Sequence, residues 1–124
     1  MGGTTAGARN LISGNKFDGV IMQEGTENKV LGNRIGTTAN GTGALGNGEV
    51  GVLIHGSNNA VGDGTSAGSN TIAFNGDDGV VVDGTAATGN MISRNSVFSN
   101  AGLGMTSWAA SRTRPATPPT TPAT

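Results

Sequence analysis

The carboxylates of this chain gather around one recurring phrase. Asp18 and Asp78 stand immediately before Gly19-Val20 and Gly79-Val80, Asp77 adjoins Asp78, and Glu49 falls close to the place of Asp77. Asp83, His55 and Gln23 come just after the same phrase in their own segments. Carboxylates held side by side can coordinate calcium through their oxygens, or work as general acid and base. Asp77, Asp78 and Asp83 are therefore the calcium candidates, and calcium is the one cofactor these residues suggest. The competing reading is that they are solvated turn residues. His55 is the only histidine, so a multi-histidine metal site is excluded, and a lone surface imidazole is the simpler role. Phe17, Phe74, Phe98 and Trp108 form no flat platform for a sugar; the phenylalanines read as covers for corners.

The elements that would position these groups repeat. Asn-x-aliphatic gives Ile12, Ile35, Ile72 and Val97, after Asn10, Asn33, Asn70 and Asn95. A lone aliphatic gives Met1, Val30, Val61 and Ile92, the last three after or near Asn28, Asn59 and Asn90. Gly-Val-x-aliphatic gives Val20/Met22, Val52/Ile54 and Val80/Val82, with Leu103/Met105 as a looser fourth member. These segments predict four coils of three short strands, starting near Met1, Asn28, Asn59 and Asn90, the last two intervals being thirty-one residues each. Brief alternation rich in Val and Ile reads as strand, and the Gly, Asn, Asp and Ser between are turn formers. No sustained 3.6-residue period occurs before residue 105, which argues against helices. One coil cannot bury its apolar side chains alone; stacking coils about 4.8 Å apart puts like residues in columns. Stacked asparagines can then hydrogen-bond along the axis.

Composition agrees with a solenoid and narrows the function. The 23 glycines and a hydrophobic share of 34% suit short strands and many turns better than a thick core. A net charge of −1 leaves no electrostatic footprint for nucleic acid. No apolar run approaches the roughly 20 residues of a membrane span. There is no cysteine, hence neither disulfide nor thiolate site. The first residues lack the charged start and apolar middle of a signal peptide.

Asn10-Leu-Ile-Ser-Gly-Asn15 with Gly19-Val20-Ile-Met22, and Asn70-Thr-Ile-Ala-Phe-Asn75 with Gly79-Val-Val-Val82, resemble the repeats of right-handed parallel β-helix proteins over residues 1–105. Pectate-lyase-like enzymes and periplasmic copper-accessory proteins share such repeats; the nearest likeness is to large bacterial surface or exported proteins. The resemblance implies an all-β, right-handed parallel β-helix. It also implies an extracellular or cell-surface parent, of which this chain would be a fragment. Lyases of this kind pair acidic metal ligands with a basic Lys or Arg that abstracts a proton. Lys16, Lys29, Arg34 and Arg94 show no spacing that sets one opposite the carboxylates, so no residue is assigned a catalytic role.

Variation falls at the corners. The longest insertion, Gly36 to Val50, contains Gly41-Thr-Gly43-Ala-Leu-Gly46, formally a dinucleotide fingerprint. Such a site needs a helix at its phosphate end, and no helical pattern follows. Gly62 to Ser69 matches Gly2 to Arg9. Ile21, Leu53 and Val81 lie between inward residues of the third strand, so alternation aims them outward. They are expected to stack as an exposed apolar column, a candidate interaction face unless a loop covers it.

Residues 106–124 are rich in Pro, Thr and Ala and read as an irregular tail. The genetic code offers a further reading of it. If one base were lost near Met105, Met105-Thr106 would yield G-AC, Asp, and Trp108-Ala109 would yield G-GC, Gly. Such a shift permits an acidic, Gly/Asp-rich continuation; a genuine linker is the alternative. The sequence thus points to a non-catalytic structural or adhesive segment. A remnant of a polysaccharide lyase or epimerase is the second function. Carbohydrate, or self-association through coil ends, is the expected partner.

Overall fold

The structure, a computed structural model, describes residues 1–85 and 87–108. Short strands follow one another around a common axis: β1 Leu11–Ile12, β2 Val20–Met22, β3 Lys29–Val30, β4 Arg34–Ile35, β5 Val52–Ile54, β6 Ala60–Val61, β7 Thr71–Ala73, β8 Val80–Asp83, β9 Met91–Ile92, β10 Ser96–Phe98 and β11 Met105–Trp108. They form three sheets, ordered β1-β4-β7-β10, β2-β5-β8-β11 and β3-β6-β9. Every strand pair is parallel. The chain is a parallel β-solenoid of about three turns. The one helical feature among the described residues is a 3-10 turn, Ala6–Ala8. No helix among them is long and apolar enough to cross a membrane.

Register follows the expected columns. Ile12, Ile35, Ile72 and Val97 are direct partners across four strands, and Val30, Val61 and Ile92 across three. Val20, Val52 and Val80 align, as do Met22, Ile54 and Val82. The three columns meet in one core, where Ile35, Val52, Ile54, Val61, Ile72 and Val80 are fully buried. Burial of each such side chain contributes about 1.5–3 kcal/mol.

Glycine opens the third strand for a steric reason. A Cβ on Gly51 would sit 2.5 Å from the carbonyl oxygen of Gly79 on the neighbouring coil. The same clash recurs at Gly19 and Gly79, at 2.6 Å each. Backbones at this corner approach too closely for any side chain.

Three asparagine ladders run along the axis. In one, Nδ2 of Asn10 donates to Oδ1 of Asn33 (3.0 Å), Asn33 to Asn70 (3.2 Å) and Asn70 to Asn95 (2.8 Å). Each Oδ1 also accepts the backbone N–H of the asparagine before it. A second ladder joins Asn15, Asn47, Asn75 and Asn100 in the same way. The third joins Asn28, Asn59 and Asn90. Each inner Nδ2 spends its other hydrogen on a carbonyl of the preceding coil, as Asn70 does on Val30 at 2.7 Å. Buried amides are tolerable only when so satisfied, and no buried side-chain N or O among the described residues lacks a partner.

Two expectations require correction. The third strand of the final coil is Met105–Trp108, not Leu103/Met105. Met105 pairs with Val80 and Ser107 with Val82, so the register lies two residues later and the strand takes in the first three residues assigned to the tail. Leu103 instead stands beside Asp78, to whose carboxylate its N–H donates at 2.7 Å. The Gly36–Val50 insertion is not loop throughout, because it returns to the corner in time for Asn47 to join a ladder. The remaining tail, residues 109–124, and with it most of the shifted-frame reading, lies outside the described residues.

Candidate functional site

The third sheet and its two corners hold the residues singled out for chemistry. Before the strands, Phe17, Glu49, Asp77 and Gly102 stack: the N–H of Glu49 donates to the Phe17 carbonyl, that of Asp77 to Glu49, and that of Gly102 to Asp77. The next column is Asp18, Val50, Asp78 and Leu103, of which Asp78 is fully buried. After the strands come Gln23, His55 and Asp83, one residue past the aligned Met22, Ile54 and Val82.

Asp78 is not a solvated turn residue. Its Oδ1 accepts the N–H of Leu103 at 2.7 Å, and its Oδ2 accepts the hydroxyl of Thr106 at 2.7 Å. Asp18 does the same on the first coil, accepting the N–H of Val50 at 2.9 Å. These carboxylates clamp one coil to the next. Asp77 folds its carboxylate onto the N–H of Asp78 at 2.9 Å. Asp83 lies beyond the strand, five residues of extended chain or roughly 16 Å from Asp78. Asp83 is therefore set apart from Asp77 and Asp78, whose carboxylates both lie against Gly102, and among the described residues no three His, Cys, Asp or Glu side chains form a metal-holding group. His55 lines a shallow hollow with Gln23, Glu24 and Ser57.

The outward column keeps its register and loses its uniform exposure. Ile21, Leu53 and Val81 are direct neighbours, followed by Thr106. Ile21 is 50% exposed, Leu53 is half-buried and Val81 is only 6% exposed. The expected apolar face thus narrows to its Ile21 end. Phe17, at the corner before β2, is also exposed, with the Lys16 ammonium 5.4 Å from its ring centroid. Phe74 and Phe98 pack edge to face at 5.6 Å, covering a corner as expected.

No protein-family model, curated protein or solved structure matches the chain.

The loops are built from their own short side chains. In the insertion, the hairpin around Thr37↔Ala44 is closed by Thr38, whose hydroxyl donates to Oδ1 of Asn40 and accepts from the N–H of Gly43. The Arg34 guanidinium donates to the Ala39 carbonyl and fills the side a Cβ on Gly41 would meet. The glycine-rich phrase is thereby a turn, with no helix behind it to receive a phosphate. In the Gly62–Ser69 loop, Oδ1 of Asp63 accepts both the hydroxyl (2.6 Å) and the N–H (2.9 Å) of Thr65. The Thr65 hydroxyl bond, then its N–H, holds the Asp63 carboxyl below its ordinary range.

Sequence reasoning missed Asn47 and the place of Met105, yet one spacing carried both. Asn15, Asn47, Asn75 and Asn100 each precede a glycine by four residues, namely Gly19, Gly51, Gly79 and Gly104.

Proposed function

We propose that this chain is a non-catalytic structural or adhesive segment of a right-handed β-helix, belonging to a longer surface or secreted bacterial protein. The observation that carries the reading is the use made of Asp78. A buried carboxylate with both oxygens committed to Leu103 and Thr106 is unavailable to a substrate proton. Asp18 and the three asparagine ladders are spent likewise, between coils rather than towards solvent. Bulk polar chemistry here serves axial cohesion, which suits a short rigid spacer. The test is incubation of purified protein with pectate and alginate, with and without calcium, following unsaturated product by absorbance. No release is expected. Sustained turnover that disappears in Asp77→Ala would overturn the reading.

A further inference from the structure

The ladders have a direction. In each, the acceptor Oδ1 belongs to the later coil and the donating N–H and Nδ2 to the earlier one. The two ends of the solenoid are consequently unlike. At the first coil, Oδ1 of Asn10 and Asn15 is exposed, and no donor among the described residues reaches it. At the last coil, the backbone N–H groups of Asn95 and Asn100 are the forward donors. The forward Nδ2 hydrogen of Asn100 folds back onto the Phe98 carbonyl at 3.3 Å.

The strands between these asparagines match as well. Asn10 and Asn15 flank β1 at the same five-residue spacing with which Asn95 and Asn100 flank β10. The N–H groups of Arg34 and Gly36 donate to the carbonyls of Asn10 and Ile12, each at 2.9 Å. Ile12 therefore faces β4, and in a parallel ladder the amide of Leu11 points away from the body. At the other end the N–H of Ser96 donates to the Asn70 carbonyl at 2.8 Å, so Ser96 faces β7 and the amide of Val97 points outward. The core is also open at both ends: Ile12 and Val20 at one, Ile92, Val97 and Met105 at the other, are only partly buried. The latter three rim a depression.

We infer that a second copy of this chain docks head to tail, β1 of one copy adding to β10 of the other as the next parallel strand. Asn95 and Asn100 then donate to Asn10 and Asn15, two ladders continue across the junction, and Ile12 extends the column ending at Val97. Donor meets acceptor only in this polarity; two first-coil ends would oppose acceptor to acceptor, and two last-coil ends donor to donor. The inference is made for the 124-residue chain itself; it goes beyond the scaffold reading and stands whether or not the protein has an enzymatic activity.

Sedimentation velocity on the full chain tests it. The native chain should form elongated species whose mass rises with concentration. Leu11→Pro removes an outward N–H at an exposed side chain, and Val97→Pro removes an outward N–H together with a half-buried side chain of the core column; each should stay monomeric, with self-association weakened roughly tenfold or more and an unchanged far-ultraviolet spectrum. Mixed together, the two variants each retain one intact, complementary end and should form a dimer that grows no further. If Val97→Pro loses the native spectrum, Phe98→Lys, at an exposed ring on the same edge, takes its place. A native chain that is monomeric at every concentration would overturn the inference. So would association surviving in both variants, or blocked variants that fail to pair when mixed.

Discussion

The inner coils and the first coil are written in the same residue types and the same register, yet they live in different solvents. Ile35 and Ile72 are fully buried, whereas Ile12, their partner in the column, is only partly so. Asn33 and Asn70 are buried; Asn10, at the head of their ladder, is exposed. On the outward side Val81 is covered while Ile21 stands half in water. Nothing in the side chains accounts for this. An inner coil has a neighbour on each side, and the first coil has one. In a solenoid, burial is a property of the stack.

That contrast can be broken most sharply at the ladders. Asn70→Ala strips the acceptor from the N–H and Nδ2 of Asn33, takes the Nδ2 donor from Oδ1 of Asn95, and leaves the Val30 carbonyl with the Gly62 N–H alone. Stranding several buried polar groups at once should cost about 4 kcal/mol. Asn10→Ala, which strands only the exposed end of the same ladder, should cost under about 1 kcal/mol. Urea unfolding of both variants measures the difference; equal losses would mean that the ladder is cooperative to its tip.

The apolar columns should show the same gradient, less steeply. Ile72→Ala empties a fully enclosed site and should cost about 3 kcal/mol. Ile12→Ala opens a site already in contact with solvent and should cost about half as much. Thermal melts of the pair decide it. If the two are equal, the first coil is as well packed as the interior.

A gain should be available at the other end. Ser107 occupies the inward column of Met22, Ile54 and Val82 but is exposed and polar. Ser107→Leu, covering Val82, should stabilise by about 0.5–1 kcal/mol, read as a raised unfolding midpoint. No gain would show that this edge is not core in any useful sense.

The smallest effect concerns a loop that neither end nor interior controls. Asp63 titrates below its ordinary value because the Thr65 hydroxyl and N–H favour the ionised form. A lowered folded-state value means that its contribution to stability is present above the ordinary carboxylate range. It is lost as pH falls through the lowered value. In Thr65→Val, a carbon-detected NMR titration of Asp63 should move upward towards the ordinary value; an unmoved midpoint would rule out the hydroxyl as the main cause.

What the sequence determined by itself is the repeating unit. Asn10, Asn33, Asn70 and Asn95, each two residues before an aliphatic, specify corner, strand and column together, because turn-forming and strand-forming chemistry is local. The columns of Ile12, Ile35, Ile72 and Val97 stand as their spacing requires. Tertiary structure alone decided what depended on neighbours distant in sequence. The four-residue spacing to Gly51 marks Asn47 as a corner residue, but its bond to Asn75 depends on how the insertion rejoins the stack. The charge of Asp78 suggests water or a cation, but its burial beneath Leu103 and Thr106 depends on how the next coil lies over it. The outward aim of Val81 follows from alternation, and its coverage does not. Side-chain direction is set by the residue's own backbone; exposure is set by whatever the rest of the chain places above it.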